Sequence, residues 1–211
     1  SESNVQFGEG GAGTFSDGKL NTLVSDHLHR GKKVLETFVT CGAPVEILYS
    51  YKPHIGTDIL VDVVTNMRNK IIEMGGEFHY HTCLTDIMIE NRKVTEIEVN
   101  HNTKIPCDCL ILAIGHSSRD TFEMLLNRKI AMEAKPFAVG VRVQHLQEKI
   151  NESQYGTKYK DLLGSASYKL TYKATNDRGV YSFCMCPGGY VVNASSEEKQ
   201  LAINGMSYYK R

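Results

Sequence analysis

Apolar residues recur at three-and-four spacing over Leu60, Val63, Val64, Met67, Ile71 and Met74. That pattern predicts one strong amphipathic helix. Gly56 precedes it, Thr57 or Asp58 supplies a cap, and Gly75 and Gly76 end it. A second helix is predicted over Leu28 to Phe38, with Val34, Leu35 and Phe38 on one side. Cys41 to Tyr51 reads as a connection carrying the apolar patch Val45 to Leu48. Past the double glycine, Glu77 to Thr82 reads as an extended return to a sheet. Leu84 to Glu90 and Val94 to Val99 alternate around Asn91-Arg92-Lys93, which predicts an antiparallel hairpin. Cys109 to Ile114 is a continuous apolar run, the pattern of a strand buried on both faces in a parallel sheet. It stops at Gly115, and His116 to Asp120 leads into a helix carrying Phe122, Met124, Leu125 and Leu126. In open α/β sheets, ligands bind beyond the carboxyl ends of such strands.

The pattern changes after Pro136. Phe137, Val139, Val141 and Val143 alternate with Ala138, Gly140, Arg142 and Gln144, which predicts a strand with one buried face. Gln147 to Gly156 is polar. Tyr181 to Cys186 and Gly189 to Ala194 read as short strands around Pro187-Gly188. The fold class is therefore α/β, mixed with α+β character. The composition shift at 132–137 places a domain boundary there, giving 1–131 and 132–211.

Composition narrows the function classes. Apolar residues make up 41% and charged residues 23%, as in an ordinary globular protein. Formal net charge is zero. That argues against a nucleic-acid partner, which requires a basic face. No apolar run approaches the ~20 residues of a membrane helix, and no signal-peptide pattern opens the chain. The six cysteines form no C-x-x-C, so reduced thiols and a cytoplasmic setting are expected. The first residue is not Met and no terminal element closes the chain. The sequence is expected to be a piece of a longer protein.

Five glycines fall between Gly8 and Gly18. Glycine allows a backbone to turn through positive φ or to lie against a ligand, and successive N–H groups can form a nest for electron-rich groups. Gly8, Gly10 and Gly13 formally satisfy G-x-G-x-x-G. The dinucleotide fingerprint needs a strand before it and a helix opening at its end. Thr14-Phe15-Ser16-Asp17-Gly18 is a poor helix start, so the Rossmann reading of these glycines is rejected.

Among single residues, His54 and His116 stand nearest the expected ligand positions. Histidine as a residue type suits general acid or base work near neutrality, with a structural turn histidine as the alternative. Asp58 and Asp120 read as helix caps. Arg119 is either an anion-binding fork or a surface ion-pair partner. Cys184 and Cys186 would share one face of a strand. At that spacing the Cα atoms stand ~7 Å apart, at or past the limit for a disulfide, and buried small residues are the default reading.

Four segments carry a resemblance: Asn4 to Leu20, Lys52 to Asp58, Ile111 to Thr121 and Gly179 to Gly189. Together they resemble the uncharacterised FAD-dependent dehydrogenases of the two-dinucleotide-binding-domain, glutathione-reductase-like flavoproteins. The resemblance implies a partial FAD/NAD(P)-binding Rossmann-like domain with an inserted, mostly antiparallel β substrate domain. It implies an FAD-dependent oxidoreductase acting on a small molecule, with NAD(P)H as candidate electron donor and a homo-oligomer as candidate assembly. The alternative is a flavin-binding scaffold without turnover. Implied cofactor contacts are Gly10, Gly11, Gly13, Thr14, Ser16, Asp17, Gly18, Lys19, Ala113, Gly115 and Arg119; His54 and His116 are the catalytic candidates. No metal site is expected. Two family parts lie outside these 211 residues: the first strand with the true fingerprint, and the C-terminal segment that closes over the flavin. Without that strand, the run Leu110 to Ile114 is expected at a sheet edge or against another chain. The glycine loop and the end of that run are expected to converge on one flat guest.

Overall fold

The computed structural model describes residues 8–22, 25–115, 117–195 and 197–210. Contacts divide the chain into two compact units, Ser1–Gly76 with Val141–Arg211, and Glu77–Gly140.

In the first unit a single turn, α1 (Gly11–Thr14), is followed by α2 (Arg30–Thr40), a 3-10 turn (Val45–Leu48) and α3 (Thr57–Glu73). Helix α2 begins two residues later than the pattern predicts. His29 at its N-cap makes no side-chain cap bond. Asp26 does that work from outside the helix, its Oδ2 accepting the Lys32 N–H at 3.2 Å. Backbone N–H groups, Gly31 foremost, hold the Asp26 carboxyl below its ordinary range.

Helix α3 matches its predicted span and ends as predicted. The Gly75 and Gly76 N–H groups donate to Ile72 O and Ile71 O, both at 2.9 Å, a Schellman closure. Its start differs from expectation. Gly56 is the N-cap with no side-chain cap bond, because Thr57 and Asp58 are engaged elsewhere. Val63 is buried, while Ile71, Ile72 and Met74 remain exposed. The core of this unit gathers Cys41, Ala43, Ile47, Ile55 and Val63, with Leu35, Phe38, Leu60 and Met67 packed around them.

The second unit holds a three-stranded antiparallel sheet in the order β1 (Leu84–Glu90), β2 (Lys93–Val99), β3 (Thr103–Pro106). The predicted hairpin is present. Glu90 pairs with Lys93, and Asn91 and Arg92 both have positive φ, as a primed two-residue turn requires. Strand β3 has no counterpart among the predicted elements; it returns through Asn100 and His101, both also at positive φ. Helix α4 (Arg119–Asn127) packs on β1. Ile87, Val99 and Leu125 are this unit's buried apolar residues.

The remaining elements belong to the first unit: α5 (Gln147–Tyr155), β4 (Thr171–Lys173), β5 (Gly179–Tyr181), β6 (Tyr190–Asn193) and β7 (Ile203–Met206). Strand β4 pairs with β5 and β6 with β7, both antiparallel. The polar stretch Gln147 to Gly156, to which the pattern assigns no element, is the helix α5 with its C-cap.

Four strand expectations are corrected. Residues 77–82 form no strand. Neither does Cys109 to Ile114, at a sheet edge or elsewhere, and Ile111 is 83% exposed. Phe137, Val139 and Val141 are 86–90% exposed and also lie outside any strand. The fourth run, Tyr181 to Cys186, leaves the sheet after Tyr181. The reason is common to all four. A strand exists through its ladder, and among the described residues no strand pairs with the first three segments or with the fourth beyond Ser182, whose N–H reaches Leu170 O at 2.9 Å. The fold shown is mixed α/β with small antiparallel sheets.

Candidate functional site

Three of the four resemblance segments meet in the first unit, tied through main-chain atoms. The Leu20 N–H donates to Pro53 O at 3.0 Å and the Ile55 N–H to Gly18 O at 3.1 Å. Lys19 and His54 thereby form an isolated antiparallel bridge. Thr57 uses its hydroxyl to reach Ser16 O at 2.7 Å. The chain following β7 closes the other side: the Thr57 N–H donates to Ser207 O at 3.0 Å, and the Tyr209 N–H to Asp58 Oδ1 at 2.8 Å. Thus Asp58 secures a neighbouring strap and does not cap its own helix. Lys19 pairs with Asp17 at 3.0 Å and also donates to Met185 O. Asn204 donates to Phe15 O at 3.1 Å.

Two of the loop glycines are needed for this packing. Gly18 has φ +60, and a Cβ there would stand 2.7 Å from Leu60 Cδ1 and 3.1 Å from the Gly56 nitrogen. At Gly10, φ +76, a Cβ would collide with the Thr14 hydroxyl. Gly8 and Gly13 differ: a Cβ at either meets nothing within 4 Å. The turn α1 is four residues long, too short to be the helix of a dinucleotide fingerprint, as expected. Ser16 Oγ donates back to Gly13 O at 2.9 Å and tightens the loop. Thr14 and Ser207 are buried, and their hydroxyl oxygens have no hydrogen-bond partner among the described residues. Such orphans are uncommon in a finished interior.

His54 Nε2 lies 2.9 Å from Tyr209 O. A carbonyl only accepts, so Nε2 carries the proton and Nδ1 is left as an acceptor when the ring is neutral. The His54 and Tyr209 rings stand 5.5 Å apart. Cys186 is half-buried; burial first, then the Asp17 charge, push its thiol above the ordinary range.

The other predicted site residues lie in the second unit. Ala113 and Gly115 are in the unpaired run, Gly115 with φ +71. Arg119 opens α4. His116 lies outside the described residues.

One concave feature has no counterpart among the sequence-based expectations. An open cleft of about 590 Å³ in the second unit is lined by Cys83, Asp86, His101, Asp120, Glu123 and Arg128, among others. Asp120, in the first turn of α4, makes no cap bond; its Oδ2 sits 3.9 Å from Cys83 Sγ. Arg128 forks onto Asp86, with Nε 2.6 Å from Oδ1, and holds that carboxyl below its ordinary range. Asp120, Glu123, Met124 and Asn127 recur at helical spacing, a signal present in the sequence. No group of three or more metal-ligating side chains occurs among the described residues, and no described helix is long and apolar enough to cross a membrane.

Over its whole length the chain is 53% identical to an uncharacterized protein of Clostridium beijerinckii, and it spans 39% of that protein's length. Residues 136–211 match the family described as FAD-dependent protein, C-terminal domain-like. The matched segment supplies Met185, Asn204, Ser207 and Tyr209, the residues that close on the glycine loop. The similarity of residues 136–211 to that domain indicates a flavoprotein-associated function.

Proposed function

We propose that this chain is part of an FAD-dependent dehydrogenase that oxidises or reduces a small molecule, with the glycine loop of the first unit touching the cofactor. The observation that carries the reading is the closure of the family-matched segment onto the loop through Lys19, Thr57 and Asp58. The whole protein is proposed to complete a Rossmann-like parallel sheet that these antiparallel sheets do not form.

The loop's residues fit the uncharged ring system of a flavin better than its pyrophosphate. Lys19 is balanced by Asp17 and Arg68 by Glu9, so neither cation is left to offset a phosphate. Gly8 and Gly13 leave open space beside the backbone, and the Thr14 hydroxyl is a buried donor awaiting an acceptor. Gly10, Gly11, Gly13, Thr14, Ser16, Asp17, Gly18 and Lys19 are the proposed contacts of this unit. FAD, when bound, supplies the hydride-transfer chemistry. His54 holds its Nε2 proton against the Tyr209 carbonyl and offers Nδ1 as a proton acceptor; His116 is proposed as the other acid–base group. NAD(P)H is the proposed electron donor, and a cytoplasmic homo-oligomer the proposed form.

A flavin-binding scaffold without turnover is the alternative reading, favoured by the structural engagement of His54. The visible spectrum of the longer protein tests both. A yellow protein bleached by NADH or NADPH supports the dehydrogenase. A yellow protein that neither donor bleaches leaves the scaffold. A protein that is colourless, and stays so after FAD is added, removes both.

A further inference from the structure

Cys184 and Cys186 are not on a strand. Strand β5 ends at Tyr181 and β6 begins at Tyr190, so both cysteines lie on irregular chain. The fully extended spacing of ~7 Å is then an upper bound, and the shorter separations that a disulfide needs are open to the pair. A turn through Pro187-Gly188 follows at once, with the Gly189 N–H on Cys186 O at 3.1 Å.

The two thiols differ in setting. Cys184 is exposed and Cys186 half-buried. Glycines make room for Cys186: a Cβ on Gly205 would lie 3.0 Å from its Sγ, and one on Gly189 3.0 Å from its Cβ. Lys19 brings an ammonium to the carbonyl of Met185, the residue between the two cysteines. That contact ties the chain between the two cysteines to the glycine loop. Cys107 and Cys109 share the spacing but not the setting. There the Cys107 thiol donates to Cys109 O at 3.3 Å and is occupied by the backbone.

We propose that Cys184 and Cys186 form a dithiol–disulfide pair that exchanges with low-molecular-weight disulfides of the glutathione type. Cys184, as thiolate, attacks one sulfur of the disulfide. A mixed disulfide forms and the first glutathione thiolate leaves, taking up the proton Cys184 released. Cys186 then loses its proton and attacks the Cys184 sulfur, expelling the remaining glutathione as thiol. Two cysteine thiols are oxidised to one disulfide, and one glutathione disulfide is reduced to two thiols. Cys184 is the exposed thiol and Cys186 the half-buried one, so entry is at Cys184. The proposal does not depend on flavin binding.

The test exposes this chain to oxidised glutathione, blocks remaining thiols with an alkylating agent and maps the peptides by mass spectrometry. The expected product is a Cys184–Cys186 peptide two hydrogens lighter and carrying no label, reversed by reduced glutathione. Cys186→Ser is expected to stop at a glutathione adduct on Cys184. Cys184→Ala, at an exposed position, is expected to lose both products while leaving the fold intact. Wild-type chain that accumulates only a stable adduct would overturn the proposal. So would a pair reacting no faster than Cys107 and Cys109, or a Cys186→Ser variant giving wild-type products.

Discussion

The glycine loop at Gly8 to Gly18 and the apolar run at Cys109 to Ile114 both have the sequence of a ligand element, yet the fold treats them differently. The loop is held by main-chain and side-chain bonds to segments more than 30 residues away, at Pro53, Ile55 and Thr57, and to Met185 and Asn204. The run from Cys109 to Ile114 has the more apolar sequence but sits outside every strand, with Ile111 83% exposed. Hydrophobicity alone therefore does not order a strand; the partner that completes its ladder does.

This contrast can be broken most directly at Gly56. Its φ of 83 and ψ of 151 belong to a region that only glycine occupies readily. A Cβ there would collide with the Tyr209 nitrogen and stand 2.6 Å from Asp58 Oδ1. Gly56→Ala is expected to cost about 2–4 kcal/mol, read as loss of amide-exchange protection in α3. A variant as stable as wild type would show that the strap is not a closed structural unit.

A smaller effect is expected at Asp86. Its carboxyl is held low by Arg128, so its stabilising contribution is present above the unfolded carboxylate pKa and fades as pH falls through the folded value. Asp86→Asn should lower the melting temperature of the second unit at neutral pH. The difference from wild type should vanish well below pH ~4. A gap that persists in acid would point to packing, not charge.

The smallest effect is expected at Ile111. Ile111→Ser should change the stability of this chain by no more than about 0.5 kcal/mol, measured by denaturant unfolding. The same substitution in the longer protein should cost several times more if the run gains a sheet there. Equal small effects in both would mean that the run never joins a ladder.

Much is legible without coordinates. Helix α3 and its glycine stop follow from periodicity and from the αL preference of Gly75, whose φ is +87. The β1–β2 hairpin follows from alternation around an Asn-led turn. No local pattern announces that the glycine loop meets the segment at His54; only the fold brings Leu20 to Pro53 and Ile55 to Gly18. The site is less legible. Asp58 has the position of a cap for α3, and it instead binds Tyr209, 151 positions later. The cleft lined by Cys83, Asp86 and Asp120 escapes sequence reasoning because its residues come from a hairpin and a helix that are separate in sequence.

What the sequence determined by itself was local: where the chain turns, where a helix can start and stop, and which runs are apolar enough to be buried. Tertiary structure decided which of those runs found partners. Capping and periodicity act over one or two turns, within reach of neighbouring residues. Ladders and buried side chains require atoms far along the chain to arrive at hydrogen-bonding distance, and loop-closure entropy opposes each such meeting.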